Sequence, residues 1–153
     1  MSTDAIVVLR EDHRAVRALF REFERAGERA YAVKGRLITQ IIELLTVHSY
    51  IENEGMYPDI RELVPGLERH ILESLEEHHV AEVLLAELAA MRPEDERFTA
   101  KATVLIDYVD RHIDEEENEW FPKVREHVGR NQLRTIGARM LELRKKAPAL
   151  PAR

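Results

Sequence analysis

The chain has 153 residues and a formal net charge of −6, with 44% hydrophobic and 34% charged residues, a balance typical of one globular domain. It contains no cysteine, which excludes disulfides, thiolate metal sites and cysteine nucleophiles. The acidic charge argues against nucleic acid as a partner, and no apolar run is long enough for a signal peptide or a membrane span.

The first predicted helix begins at Ser2, Thr3 or Asp4, any of which can cap it, and ends near Gly27. Its apolar residues recur at helical spacing, and His13 fills a gap in their row. These apolar residues are Leu9, Val16, Phe20 and Phe23. We therefore expect His13 to face the protein core.

A second helix is predicted from about residue 31 to residue 54, and we expect Gly55 and Pro58 to end or kink it. Its apolar row runs into His48 and, one turn later, Glu52. A turn is predicted at residues 64–66, where the sequence reads Val-Pro-Gly.

The third helix is predicted from about residue 67 to residue 91, and the Arg-Pro pair at residues 92–93 closes it. Its apolar row includes His78 and, one turn later, Glu82. Both side chains are therefore predicted to lie on the buried side of this helix.

The fourth helix is predicted to start near Glu94 or Asp95 and to run to about residue 120, with His112 and Glu116 on its apolar row. Pro122 interrupts it, and residues 123–128 add a turn or two. A fifth, shorter helix is predicted over residues 131–146.

Four long amphipathic helices with short connections predict an all-α fold, an antiparallel up-down-up-down four-helix bundle. We expect the bundle to span residues 1–128, an accessory helix residues 129–147 and a flexible tail residues 148–153. The fifth helix either packs on the bundle or mediates self-association, and we expect a monomer or a weak homo-oligomer.

The two halves of the chain repeat one another. His13 and His78 lie 65 residues apart, and His48 and His112 lie 64 apart, each of the latter followed by Glu four residues on. The repeat predicts one helical hairpin used twice, packed against itself.

Six of the ionisable side chains on the apolar rows indicate a metal site: His13, His48, Glu52, His78, His112 and Glu116. On a helix, His and Glu four residues apart point within about 40° of each other. Burying such groups without partners costs several kcal/mol each, and a metal relieves that cost by using them as ligands. The alternative is a purely structural bundle, in which a His–Glu pair contributes about 0.2–0.5 kcal/mol. Ligands of nitrogen and oxygen suit iron, manganese or zinc.

The motifs resemble the hemerythrin-like family, the HHE cation-binding domains, from about residue 4 to residue 128. The resemblance lies in Asp12-His13, in Glu77-His78, and in two His-x-x-x-Glu motifs that each lead to an aromatic-Pro pair at residues 57–58 and 121–122. It implies two non-haem iron ions with an oxo or hydroxo bridge inside the bundle. The terminal ligands would be His13, His48, His78 and His112, and the bridging ligands would be Glu52 and Glu116.

One position departs from the oxygen-carrying members of this family, which use a fifth His where this chain has Glu82. Glu82 either replaces that His as a ligand or is a salt-bridged carboxylate beside the site. His79 is expected at the rim of the site, and Tyr108 is either core packing or a hydrogen-bond donor or ligand at the site. His70 and His127 lack a partner motif and are expected to be ordinary histidines.

The resemblance implies a di-iron protein that binds dioxygen or reacts with hydrogen peroxide, with a role in oxidative-stress defence and a catalase-like or peroxidase-like activity. The alternative is a non-catalytic carrier or sensor of dioxygen or iron whose bundle is stabilised by metal. In either case we expect a cytoplasmic protein with no nucleic-acid or membrane partner.

Overall fold

A computed structural model describes residues 3–149, and within this range the chain is helical and contains no strand. Ser2, one of the three predicted caps, lies outside the described residues, as do residues 150–153 of the predicted tail. Asp4 is the cap of the first helix, because its Oδ1 accepts a hydrogen bond from the backbone N–H of Val7 at 2.9 Å.

Seven α-helices follow one another along the described chain. They are α1 (Ala5–Arg25), α2 (Tyr31–Ile51), α3 (Tyr57–Leu63), α4 (Glu68–Ala89), α5 (Phe98–Glu115), α6 (Phe121–His127) and α7 (Arg130–Arg144). A first π turn (Glu52–Met56) joins α2 to α3, a second π turn (Glu116–Trp120) joins α5 to α6, and a 3₁₀ turn (Pro65–Leu67) precedes α4.

The predicted four-helix bundle is confirmed. It consists of α1, α2, α4 and α5, in which α1 and α4 each pack against both α2 and α5. Short loops join α1 to α2 and α4 to α5, as antiparallel neighbours require. The connection from α2 to α4 is longer than predicted, because it contains the first π turn, α3 and the 3₁₀ turn. The predicted apolar row of α1, Leu9, Val16, Phe20 and Phe23, is buried throughout.

The apolar core forms two layers. One layer contains Leu9, Ile51 and Ile71, and the other contains Val16, Leu45 and Leu85. On each of these helices, a predicted metal-ligating His lies in the sequence between a residue of one layer and a residue of the other. His13, for example, lies between Leu9 and Val16. The polar residues therefore occupy one level of an otherwise apolar interior.

Two predicted boundaries differ from the structure. The chain does not end or bend away at Gly55 and Pro58 but passes through the first π turn into α3. The helix predicted to start at Glu94 or Asp95 begins at Phe98 instead. Asp95 does not cap it, because its Oδ2 accepts a hydrogen bond from the backbone N–H of Arg92 at 2.8 Å and so closes a turn.

The last helix, α7, packs against α1, α2 and the first π turn. Gly137 permits this close approach, since a Cβ there would overlap the carbonyl oxygen of Thr3 and lie 2.8 Å from the backbone N of Ala5. The division of the chain into units at residues 128 and 147 stays a prediction. Within residues 3–149, no helix is both long enough and apolar enough to cross a membrane.

Candidate metal centre

Six predicted residues meet in the centre of the bundle as two groups of three. The first group is His13, His48 and Glu116, and the second group is Glu52, His78 and His112. Within each group, ligand atoms lie within 4.8 Å of one another. Five of the six residues are buried, and His112 is nearly so. Each group therefore combines side chains from both halves of the repeat.

Each carboxylate stands between the two groups. Glu52 Oε1 lies 3.0 Å from His78 Nε2, in its own group, and 3.7 Å from His48 Nε2, in the other. The contacts of Glu116 are similar, since its oxygens lie 3.1 Å from His13 Nε2 and 3.6 Å from His112 Nε2. This placement is what a carboxylate needs in order to bridge two metal ions.

Each of these carboxylates is the first residue of a π turn. In the first π turn the backbone N–H of Tyr57 donates to the carbonyl of Glu52, and in the second that of Phe121 donates to the carbonyl of Glu116. A π turn closes its hydrogen bond over five residues rather than four. As a result, the aromatic residue five positions after each Glu comes back to the same side of the helix.

Two histidines are oriented by carboxylates of their own half of the repeat. His48 Nδ1 lies 3.0 Å from Asp12 Oδ2, and His112 Nδ1 lies 2.9 Å from Glu77 Oε1. An ionised carboxylate can only accept, so in each ring Nδ1–H is the donor. Nε2 is then directed into the centre, where its lone pair can bind a metal.

The other two histidines are oriented by residues of the opposite half. His78 Nδ1 lies 2.7 Å from Asn53 Oδ1, and His13 Nδ1 lies 2.6 Å from Glu117 Oε2. Asn53 and Glu117 occupy equivalent places in the repeat, 64 residues apart, but one partner is neutral and the other is a carboxylate. The two groups are therefore alike in geometry but not in charge.

Several of the inward-facing atoms are buried and have no hydrogen-bond partner among the described residues. They are His13 Nε2, His112 Nε2, Glu116 Oε1 and both carboxylate oxygens of Glu52. Polar atoms left in this state destabilise a protein unless something else binds them. Imidazole nitrogens and carboxylate oxygens together form the donor set of a non-haem iron, manganese or zinc site, so the residues present fit such a metal.

Burial and mutual repulsion set the charges of the two glutamates. Burial raises the pKa of Glu52 well above its usual value, and the Glu116 carboxylate raises it further. Burial also acts to raise the pKa of Glu116, but the imidazoles of His112 and His13 outweigh it and hold that pKa well below its usual value. Without a metal, the pair therefore holds a proton on Glu52.

The histidines differ in the same way. Burial lowers the pKa of His48 and, more strongly, that of His78. Burial acts to lower the pKa of His112 as well, but the Glu116 and Glu77 carboxylates outweigh it and raise that pKa to about 10. His78 is therefore neutral and ready to bind a metal, whereas His112 must first lose a proton.

One residue of the centre was not predicted as part of it. Tyr57 Oη donates to Glu116 Oε2 at 3.3 Å and lies 3.4 Å from His78 Nε2, and its ring stacks on that of His78. Its place in the repeat is taken on the other side by Phe121, which stacks on His13. Tyr57 thus adds a phenolic oxygen between Glu116 of the first group and His78 of the second, and the equivalent Phe121 offers no such oxygen.

The remaining candidates lie further out. Glu82 is half-buried on α4 and belongs to neither group; burial raises its pKa and His79 acts to lower it. His79 is exposed, as predicted for a rim residue, and His127 is exposed and bonds the carbonyl of Lys123. A metal-ligating role for Glu82 stays a prediction, and the described contacts give it no support.

A small cavity adjoins the centre on the side away from Tyr57. Its volume is about 30 Å³, and the four candidate His ligands line it. The rest of its wall is mainly apolar, with Val16, Leu45, Leu85 and Val109 among the lining residues. Tyr108, which is half-buried, also lines the cavity. A cavity of this size holds about one water-sized molecule.

Residues 4–124 match the family model described as "Hemerythrin HHE cation binding domain". A solved structure of a hemerythrin HHE cation-binding domain-containing protein from Mycobacterium kansasii matches with a TM-score of 0.77 at 21% identity, over 94% of this chain and 86% of that one. A curated protein named DNA nickase, from Nostoc sp. strain PCC 7120, is 28% identical over 125 residues. Those residues are 82% of this chain and 34% of that relative, so the chain spans about a third of its length.

Proposed function

Starting from the fact that this chain belongs to the hemerythrin HHE cation-binding family, we propose that it holds two non-haem iron ions and reacts with dioxygen or hydrogen peroxide. The terminal ligands are His13, His48, His78 and His112, and the bridging ligands are Glu52 and Glu116. Bound iron would supply the capacity to exchange electrons with an oxygen species.

The cavity beside the centre is the observation that carries this proposal. At about 30 Å³ it accepts a molecule the size of water, dioxygen or peroxide and excludes an organic substrate. Its walls consist of four imidazoles and of apolar side chains such as Val16 and Leu85. A small, weakly polar ligand would therefore meet the metal in a site that keeps bulk water out.

The protein's own side chains prepare the centre. Asp12, Glu77, Asn53 and Glu117 each accept from a histidine Nδ1–H, which fixes the ring and keeps Nε2 free for a metal. Tyr57 adds a hydroxyl group that donates to Glu116. The carboxylate oxygens of Glu52 and Glu116 are hard ligands that favour ferric iron, which suits peroxide reduction better than reversible oxygen carriage.

The test is the iron content and optical spectrum of the purified chain, followed by peroxide addition. We expect two irons per chain, near-ultraviolet absorption from the bridged ferric pair, and consumption of peroxide. His78→Ala should lose iron and the absorption, whereas His79→Ala, the exposed neighbour on the same helix, should keep both. Full helicity without stoichiometric metal, or an unchanged spectrum in His78→Ala, would overturn the proposal.

A carrier or sensor of dioxygen or iron is the second candidate, and one contact favours it. Arg144 on α7 binds both carboxylate oxygens of Asp12 at 3.2 Å, and Asp12 in turn holds His48. A change at the metal could therefore reach α7, which lies outside the family match. This candidate would be favoured if added hydrogen peroxide is not consumed and if amide hydrogen exchange in α7 becomes faster when the metal is removed.

We do not extend the DNA-nicking name of the Nostoc relative to this chain. The chain spans about a third of that protein, and its net charge of −6 is unfavourable for binding a phosphate backbone. The partners we propose are dioxygen or hydrogen peroxide, without nucleic acid or membrane, in the cytoplasm, for a monomer or weak homo-oligomer.

A further inference from the structure

A line of three rings leads from the metal centre to the protein surface. The first is Tyr57, whose hydroxyl donates to Glu116 Oε2 at 3.3 Å. The Tyr57 ring meets the edge of Trp120 at a centroid distance of 5.4 Å, and Trp120 stacks on His70 at 5.5 Å with the planes 17° apart. His70 is half-buried, so the line begins at the centre and ends at solvent.

Trp120 is an unusual choice for a residue that only fills space. Its side chain is 1% exposed, and its indole Nε1 has no hydrogen-bond partner among the described residues. A buried indole normally satisfies its N–H, and leaving it unpaired costs stability that a phenylalanine would not lose. The property that distinguishes the indole here is that it can be oxidised by one electron.

The repeat does not explain this line of rings. The residues equivalent to Tyr57, Trp120 and His70 in the opposite halves are Phe121, Met56 and Ala5, which follow from the spacings of 64 and 65. Among residues 3–149, no corresponding line therefore exists on the other side of the bundle. Tyrosine and tryptophan, the two side chains that most readily give up a single electron, are placed together on one side only.

We propose that Tyr57 and Trp120 form a one-electron relay that carries electrons from a small soluble reductant at the His70 surface to the metal centre. This inference rests on the proposed reaction with hydrogen peroxide and identifies it as a peroxidase reaction. Glu73 and Glu77 lie close enough to His70 to act on its charge. The reductant is therefore a neutral phenol or aromatic amine rather than an anion such as ascorbate.

The electrons and protons of the relay balance. Tyr57 would give one electron to the oxidised centre, and its hydroxyl proton would pass along the existing hydrogen bond to Glu116 as the O–H bond breaks. Trp120 then gives one electron to the tyrosyl radical, which takes its proton back from Glu116. The phenol or aromatic amine restores Trp120 by losing one electron, and its O–H or N–H proton passes to solvent. Two such passages supply the two electrons that reduce one hydrogen peroxide, with two protons from solvent, to two waters.

The test uses the only tryptophan of the chain and needs no peroxide activity. The full-length protein is prepared with zinc in place of iron, since zinc is colourless and does not change oxidation state. A laser flash at a wavelength absorbed by tryptophan alone ejects an electron from Trp120. We expect the tryptophan radical to decay as a tyrosyl radical appears. An electron then passes from Tyr57 to Trp120, the reverse of the relay, through the same ring contact.

Tyr57→Phe should abolish the tyrosyl signal and prolong the tryptophan radical. The matched control is Tyr50→Phe, because Tyr50 is a partly buried tyrosine packed against the same apolar layer; it should leave the transfer unchanged. The relay is overturned if a tyrosyl radical still forms in Tyr57→Phe, or if none forms in the unsubstituted chain. Either result holds regardless of how the iron-loaded protein reacts with peroxide. With iron bound, Trp120→Phe should lose phenol oxidation and keep its iron content, and unchanged phenol oxidation would also overturn the relay.

Discussion

Replacing Asp12 by alanine should weaken the binding of one of the two metal ions and leave the binding of the other nearly unchanged. Asp12 Oδ2 accepts from His48 Nδ1 at 3.0 Å, and this bond fixes the ring whose Nε2 faces the centre. His48 belongs to the group with His13 and Glu116, while the second group has its own orienting residues. Loss of such a partner typically costs about 10–100-fold in metal affinity, which is roughly 1.4–2.7 kcal/mol.

The structure also supplies the conservative control. Asn53 Oδ1 holds His78 at 2.7 Å, so an amide oxygen already performs this task on the other side of the centre. Asp12→Asn should therefore recover most of the affinity that Asp12→Ala loses, although the ion pair with Arg144 disappears in both variants. The comparison separates orientation of the ring from loss of charge.

The assay is stepwise metal release to a competing chelator, followed by the optical spectrum and by metal analysis. We expect Asp12→Ala to release one ion at a lower chelator concentration than the unsubstituted chain does, with the second ion nearly unchanged. Glu77→Ala removes the equivalent partner of His112 and should instead weaken the binding of the ion held by the second group. Equal weakening of both ions by Asp12→Ala, or none, would refute the assignment of His48 to one group.

Three further predictions follow from burial and charge. Gly137→Ala should destabilise the protein, because the added Cβ overlaps the backbone at Thr3. Such overlap costs about 1–3 kcal/mol of the free energy of unfolding, and the higher helix propensity of alanine offsets up to about 1 kcal/mol of it. Thermal unfolding measures the difference, and Gly66→Ala, where the added Cβ meets no atom, is the control. Metal uptake should release protons and weaken as pH falls, because the pKa of His112 is raised to about 10 and that of Glu52 is also raised, so both carry protons that the metal displaces; chelator competition at several pH values tests this. Removing metal should lower the melting temperature with little loss of helicity near room temperature, and an unchanged melting temperature would contradict a metal-stabilised centre.

The bundle and the convergence of six side chains followed from periodicity. His13 fills the gap in the apolar row of α1, with Asp12 buried beside it, and a helical face has only one way to bury that row. Because the repeat places His78 at the equivalent point of α4, the two histidines had to approach each other once the hairpins packed. Local spacing was sufficient here, since the four histidines lie within regular α-helices and each glutamate directly follows the end of one.

Tyr57 could not be placed by the same reasoning. On a regular α-helix a residue five positions after Glu52 lies about 140° away from it, so helical spacing directs Tyr57 away from the centre. The first π turn removes that offset by closing its hydrogen bond over five residues. Periodicity alone does not reveal a π turn, and the orienting roles of Asn53 and Glu117 depend on it too, because both lie within these turns.

The exchange of residues between the two hairpins determines when the protein can collect its metal during synthesis. The first group lacks Glu116, and the second lacks His112, until the last bundle helix has been made. A growing chain emerges with its N-terminal hairpin first, and that hairpin alone completes neither group. Metal capture therefore has to follow the docking of both hairpins, so the bundle can be loaded only after its last helix has emerged. A partly made chain is thereby kept from holding a reactive metal in an open site.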